Sequence, residues 1–277
     1  MRHHFIFVAG LHRSGTSLLH ELLRAHPSVS GFRNTNVPED EGQHLQTVFP
    51  AAKAFGGPGR FGFNRDSFMD ENHPLATPGN AERLFSEWSR YWDLSKPFLV
   101  EKSPPNLVRT RFLQALFPDC SFLVILRHPI AVAYATQKWA ETSIESLLDH
   151  TLLCYERFQA DMRCLQRVQV VRYEDFVLTP LEHLTTMSHW LGVSPFQCGD
   201  EVRARINDRY FASWRRRRDL QSRRTRSQNS QLVKRFSSRT AAFGYRMDDP
   251  ETLDPFPWAG TATERGVCEQ ETALGTF

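Results

Sequence analysis

Arg13, Ser14, Thr16 and Ser17 are the first residues in the chain whose types and spacing can do chemistry. They lie in GLHRSGTS, residues 10–17, where Gly10 and Gly15 frame a GxxxxG pattern. Such a loop aims backbone N–H groups and a helix N-terminus at one point, which suits a phosphate or sulfate dianion. The nucleotide-triphosphate form of the pattern continues with Lys and then Ser or Thr. Here Thr16 follows Gly15, and the cation stands inside the loop as Arg13, whose planar fork grips an oxyanion bidentately as an ammonium cannot. Thr16 and Ser17 can cap the helix that follows. A strand–turn–helix with incidental glycines carries the same GxxxxG, so the four polar side chains, rather than the glycines, point to an anion site.

Three more groups can join that chemistry. Lys102 in EKSPPN closes a short apolar run, where a cation can stabilise charge on transferring oxygens and a leaving phosphate. Arg127 follows SFLVIL, where a kinase or ATPase would carry a magnesium-binding aspartate. An arginine there suits a phosphate directly, whereas magnesium needs a carboxylate. Glu39, Asp40, Glu41 and His44 cluster in VPEDEGQHLQ. As a solvated turn they would do nothing; as a positioned carboxylate or imidazole, one can take a proton from a hydroxyl. We select Glu41, then His44. His20, opposite a leucine stripe, is expected at the surface.

The elements that must position these groups follow from periodicity. Residues 5–9, 97–101, 121–126 and 168–172 are compact apolar runs that read as buried strands. Leu18, Leu19, Leu22 and Leu23 share one helical face. Helices are expected over 81–94, from Asn106, over 145–165, over 180–191 with Gly192 as its C-terminal cap, and over 200–211. Strands alternating with helices predict an α/β P-loop fold, a parallel sheet flanked by helices on both faces, with ligands at the carboxyl ends of the strands. Residues 27–50 read as loop. In 51–80 the letters Gly57, Gly59 and Gly62 match GxGxxG, but no strand precedes them and Pro58 interrupts them, so the match is a decoy. Its phenylalanines are expected to anchor the loop on the core. One domain over 1–249 and a loosely packed tail over 250–277 complete the expected organisation.

The 277 residues suffice for one large core, with 40% hydrophobic and 23% charged residues. A net charge of +3 argues against nucleic acid as the partner. Five cysteines with no CxxC spacing fit reduced thiols and a cytoplasmic setting. No apolar run reaches the ~20 residues of a membrane span, and the chain enters its first strand with no signal-peptide pattern.

GLHRSGTSLLHELLRAHP resembles the 5′-phosphosulfate loop of sulfotransferases that use 3′-phosphoadenosine 5′-phosphosulfate (PAPS), above all the bacterial and carbohydrate- or tyrosine-type branch. The resemblance runs over most of residues 5–193. It implies that the backbone amides of residues 12–17 (His12, Arg13, Ser14, Gly15, Thr16, Ser17) and the Arg13 side chain hold the phosphosulfate. Lys102 matches the Lys of the family's [DE]K[ST]P motif, and Arg127 its 3′-phosphate arginine. The family's serine eight residues after that arginine is Ala135 here, so Thr136 would take its role through a one-residue shift. Tyr173 in RYEDF would lie near adenine. Trp214 would stack on the base, and one of Arg215 to Arg218 would bind phosphate; the same basic loop can instead recognise an anionic acceptor. The family's base is a Glu or His after the loop and helix, but Arg33 and Asn34 stand where the tyrosine-type Glu would fall. The implied activity is metal-independent sulfuryl transfer to a hydroxyl or amine of a small-molecule, lipid or carbohydrate acceptor. A P-loop small-molecule kinase and a non-catalytic nucleotide-binding protein are the alternatives.

Overall fold

A computed structural model describes residues 3–199, 202–219, 223–259 and 262–264. Its elements in chain order are β1 (His4–Ala9), α1 (Thr16–Arg24), β2 (Val29–Gly31), α2 (Pro78–Trp88), β3 (Phe98–Lys102), α3 (Thr110–Leu116) and β4 (Cys120–Leu126). There follow α4 (Pro129–Ala140), α5 (Ile144–Asp161), β5 (Arg167–Arg172), α6 (Tyr173–Leu178), α7 (Pro180–Leu191), α8 (Asp208–Asp219), α9 (Arg223–Ala241) and β6 (Ala262–Glu264). The sheet order is β2-β3-β1-β4-β5-β6. All neighbours are parallel except β5 with β6, so the expected parallel sheet carries one antiparallel edge strand.

Alternation along the strands builds two cores. Phe5, Phe7, Phe122 and Val124 pack with Trp88, Leu113, Ala133 and Leu148 of α2 to α5. Ile6, Val8, Leu123 and Ile125 face the other way, onto Leu19 and Leu22 of α1 and Phe176, Leu184 and Met187 of α6 and α7. Helices therefore cover both faces, as the continuous apolar runs required.

Parallel pairing sends the ends of β1, β3, β4 and β5 to one edge. The chain leaves β1 toward β3 on one side and returns to β4 on the other, so the loop after β1 sits at the point where the strand order reverses. Val8 pairs with Lys102, and Ala9 with Val124 two residues before Leu126. This register sets Lys102 and Arg127 on opposite sides of residues 10–15. Lys102 is the last residue of β3, where the sequence suggested a position just beyond it.

Several boundaries differ from expectation. Val29–Gly31 is a short edge strand within the expected loop 27–50. The helix expected over 200–211 begins only at Asp208, because Arg205 has φ 61, in the left-handed region that interrupts a helix. Helix α9 was missed because arginines hide its stripe of Leu232 and Phe236. Those arginines pair with α5: Arg239 with Asp149 at 2.5 Å and Glu156 at 2.6 Å.

In the described part of 250–277, the expectation of loose packing is corrected. Phe256 and Trp258 are buried in the larger core, and Ala262–Glu264 pairs with β5. The rest of that segment, with Cys268, lies outside the described residues. Gly59 and Gly62 pack against Leu147 and Cys154 and support no dinucleotide turn, in keeping with a decoy. No described helix is long and apolar enough to cross a membrane.

Candidate functional site

The loop after β1 is held in shape by two unusual backbone conformations. Gly15 has φ 105, and a Cβ there would stand 2.8 Å from the Tyr173 ring, so only glycine fits. Arg13, a non-glycine residue, is left-handed at φ 69, a local strain at the residue whose carbonyl accepts from Arg127. Gly15 is the N-cap of α1, and no side chain caps that helix. The capping role expected of Thr16 and Ser17 is thus corrected. Ser17 Oγ instead donates to Glu39 Oε2 at 3.1 Å. Uncapped first-turn amides and the positive end of the helix dipole are what an anion requires.

A cleft of about 240 Å³ opens on this loop, walled by Arg13, Gly15, Thr16 and Ser17 on one side and by Arg127 and Tyr173 on the other. Arg127 is almost wholly buried and its fork is fully oriented. Nε and Nη2 donate to Asn207 Oδ1 at 2.8 and 2.6 Å, and Nη1 donates to the Arg13 carbonyl at 2.6 Å. Its guanidinium lies 4.3 Å from the centre of the Tyr173 ring. Asn207 is held by donating to Glu174 Oε1 at 2.6 Å, which also accepts from His128 N at 2.9 Å. Burial raises the Glu174 carboxyl, and the His128 amide and Arg127 oppose that rise.

On the other side of the loop stands Lys102, completely buried. Its Nζ donates to the Glu39 carbonyl at 2.7 Å and lies 3.4 Å from both Ser17 Oγ and Glu41 Oε1. Glu41 is itself buried, with Oε2 accepting from Gln43 Nε2 at 2.5 Å and standing 3.7 Å from His44 Nε2. Burial raises the Glu41 carboxyl above its ordinary range, while Lys102 and the Gln43 hydrogen bond pull it back. The fold therefore brings Glu41, His44, Lys102 and Ser17 together, although Glu41 and Lys102 are 61 residues apart.

His12 lies near these groups as a neutral imidazole. Burial, with His150, Lys102 and His44 adding repulsion, lowers its pKa to about 3. His20 is buried rather than at the surface, and burial lowers it likewise to about 3. Ser14 is fully buried under the loop. The Arg13 guanidinium lies over the half-exposed Trp139 ring at 4.8 Å.

Two expectations fail. Trp214 is fully buried, and its Nε1 donates to the Met247 carbonyl at 3.0 Å, so its ring is locked in the core and cannot stack on a base. Thr136 does not reach the Arg127 cleft. It lines a separate cavity of about 10 Å³ with His12 and His150, because the α4 register turns it toward the loop 56–62. Of the arginines after Trp214, Arg215 pairs with Glu251 and Arg216 donates to Ser213 Oγ at 3.2 Å. The Arg218 side chain lies outside the described set. The residues that do reach the cleft are Arg203 and Arg209, earlier in the basic stretch. Their signal, the basic turn of the chain after residue 200, was visible; which arginines it delivers was not. Asn207 and Gln43 carried no signal at all.

The model of the sulfotransferase family matches residues 6–197. The nodulation protein NoeE of Sinorhizobium fredii is 25% identical over 231 residues, covering 68% of this chain and 50% of that protein. Protein-tyrosine sulfotransferase 2 of Gallus gallus is 24% identical over 198 residues, with coverage of 68% and 51%. The chain spans about half the length of these curated relatives. Among solved structures, sulfotransferase STF1 of Mycobacterium tuberculosis matches with a TM-score of 0.45 and 18% identity, over 73% of this chain and 70% of that one. The family match takes in residues 10–17, Lys102, Arg127 and Tyr173 and ends before Arg203, Asn207 and Arg209.

Proposed function

The chain belongs to the sulfotransferase family, and from that premise we propose that it moves a sulfuryl group from PAPS to a hydroxyl or amine of an acceptor. The observation that carries the reading is the meeting of Lys102 Nζ with Ser17 Oγ at the start of α1 and with the buried carboxylate of Glu41. A phosphosulfate on the amides of residues 12–17 has a cation beside its bridging oxygen and a base within reach of the attacking group.

In this reading the acceptor oxygen attacks sulfur in line with the bond to the 5′-phosphate oxygen. Its proton passes to the Glu41 carboxylate, which burial makes more basic than an ordinary glutamate. The sulfur–oxygen bond to the phosphate breaks, and the electron pair leaves with adenosine 3′,5′-bisphosphate. Lys102 and Arg13 offset the charge that grows on the leaving and sulfuryl oxygens. Arg127, with Arg203 and Arg209 across the cleft, takes the 3′-phosphate, and Tyr173 lies against the nucleoside. Lys102 and Arg13 supply the charge that magnesium supplies in phosphoryl transfer, so the reaction needs no metal. His44, 3.7 Å from Glu41, supports the base rather than replacing it.

The test is release of adenosine 3′,5′-bisphosphate from PAPS in the presence of a chelator and a panel of sugars, phenols, lipids and amines. Acceptor-dependent release, lost in Lys102→Met and in Glu41→Gln, is the expected result. Magnesium-dependent ATP turnover with no release from PAPS would replace the reading with a kinase.

A further inference from the structure

The carboxylate that faces Lys102 is held from behind by a chain of hydrogen bonds whose directions are all determined. Ala52 N–H donates to Gln43 Oε1 at 2.8 Å. That contact fixes which end of the amide is oxygen and leaves Nε2 as the donor, which reaches Glu41 Oε2 at 2.5 Å. The main-chain N–H of Gln43 donates to Ser103 Oγ at 2.9 Å, and Ser103 donates in turn to Glu101 Oε1 at 2.6 Å. Glu101 Oε2 accepts from Asn106 Nδ2 at 2.5 Å. Gln43, Ser103, Glu101 and Asn106 are all at most 3% exposed. Gly42 lies so close to Glu101 that a Cβ would stand 2.4 Å from Oε1, so the turn bearing Glu41 is pressed onto the strand end bearing Lys102.

We propose that Gln43 is a positioning residue that pins Oε2 of Glu41 and leaves Oε1, beside Lys102, as the oxygen that takes the acceptor's proton. The proposal rests on the sulfuryl-transfer reading above. One hydrogen bond on one carboxylate oxygen removes the rotation that would otherwise exchange the two. His44 Nε2, at 3.7 Å from Oε2, is too far to hydrogen-bond and cannot do this in place of the amide. An N–H donated to a buried carboxylate also favours its charged form, the form a base must have before it acts. The charged groups facing Glu41 are Lys102, which lowers its carboxyl, and Glu39, which raises it; His44 is a titratable neighbour that burial and Lys102 hold toward its neutral form. None of these is altered when Gln43 is changed.

The test follows Glu41 directly. The full chain is labelled with ¹³C at the glutamate side-chain carboxyl, and the Glu41 signal is assigned by its loss in Glu41→Gln. In Gln43→Leu the Glu41 titration midpoint is expected to rise by about one pH unit, the effect of losing a hydrogen bond to the charged form. With an accepted substrate, the acid limb of kcat moves up with it, while affinity for adenosine 3′,5′-bisphosphate stays within about twofold. Ala52→Pro is the second variant. It replaces the N–H that orients the Gln43 amide by the proline Cδ, which also pushes Gln43 Oε1 aside, at the first position of a short helical turn where the backbone accepts proline. It is expected to shift the midpoint in the same direction by less. An unmoved Glu41 midpoint in either folded variant overturns the proposal. A wild type that does not bind the bisphosphate, with the midpoint shift intact, would overturn the cofactor reading and leave the pinning of Glu41 standing.

Discussion

Arg127 Nη1 donates to the main-chain carbonyl of Arg13 at 2.6 Å, tying the end of β4 to the loop after β1. The same guanidinium is tied on its other edge to Asn207, just before α8. One side chain thus joins the loop proposed to hold the anion, the sheet and the basic segment beside the cleft. Its preorganisation means that little reordering is needed when an anion arrives.

Replacing Arg127 by Ala removes the cation that we propose holds the 3′-phosphate. The loss of such a hydrogen-bonded charge is on the order of 1.5–3 kcal/mol, or roughly 10- to 150-fold in affinity. Calorimetric titration with adenosine 3′,5′-bisphosphate, with magnesium–ATP as the comparison, reads it. Unchanged bisphosphate affinity would remove Arg127 from the nucleotide site.

Lys102→Met keeps the length of the side chain and discards its charge. Loss of a group that stabilises developing charge lowers kcat by about 10²- to 10³-fold. Because Lys102 holds the Glu41 carboxyl down against burial, the acid limb of any residual activity should also move to higher pH. A pH–rate profile with its limb in place and kcat near wild type would put Lys102 outside the transfer centre.

Trp214→Ala should cost stability rather than affinity. The ring is fully buried and its N–H is satisfied inside the core. Large-to-small changes of this kind cost about 3–5 kcal/mol. Denaturant unfolding measures the loss, and bisphosphate binding by the folded protein should remain. A stable protein that has lost binding would return Trp214 to the nucleotide site. Arg203→Ala and Arg209→Ala should do the reverse, weakening binding with little change in stability.

Acid should destabilise the fold below neutrality. Burial holds His12, His20 and His128 at about 3 and His150 at about 4 in the folded chain. When unfolded, these imidazoles titrate near 6.5, so between about pH 6.5 and 3–4 the unfolded state binds more protons and stability falls as pH falls. At pH 5 the loss is up to about 2 kcal/mol for each. Glu101 has the opposite sign. Burial raises it from 4.5 to about 7, so it contributes stability that is lost as pH rises through that interval. Burial raises Glu41 and Glu174 in the same sense as Glu101, but Lys102 and Arg127 oppose those rises; the four histidines outweigh the three carboxyls, and the melting temperature should drop between pH 7 and pH 5. A flat profile would mean that these histidines are hydrated or charged in the folded protein.

Much of the proposed anion site was legible because its signals are local. The glycine frame and Arg13 lie within eight residues, and Lys102 and Arg127 each follow an apolar run that announces its own strand. The proposed base was read from the cluster Glu39, Asp40, Glu41 and His44, with Glu41 selected and His44 second, although spacing does not say which carboxylate of a turn is pressed inward. The structure separates them: Glu41 reaches Lys102, Asp40 is engaged by Thr35 and Arg24, and Glu39 meets Ser17. Thr136 and Trp214 failed for a shared reason. Each was assigned by its distance in sequence from a recognisable arginine or basic run, and a helix rotates by about 100° per residue. A shift of one position therefore turns a side chain from the cleft into the core.

The sequence by itself determined the alternation of buried strands and helices, the glycine-framed loop, and which cations stand at the strand ends. These depend on apolar periodicity and on backbone angles set by single residues. Tertiary structure alone decided that the turn bearing Glu41 and Gln43 is pinned to the end of β3, that Asn207 fills one edge of Arg127 from 80 residues away, and that Trp214 is core. Those contacts exist because parallel pairing and the order β3-β1-β4 gather distant segments at one sheet edge. No local spacing encodes which side chains then face each other.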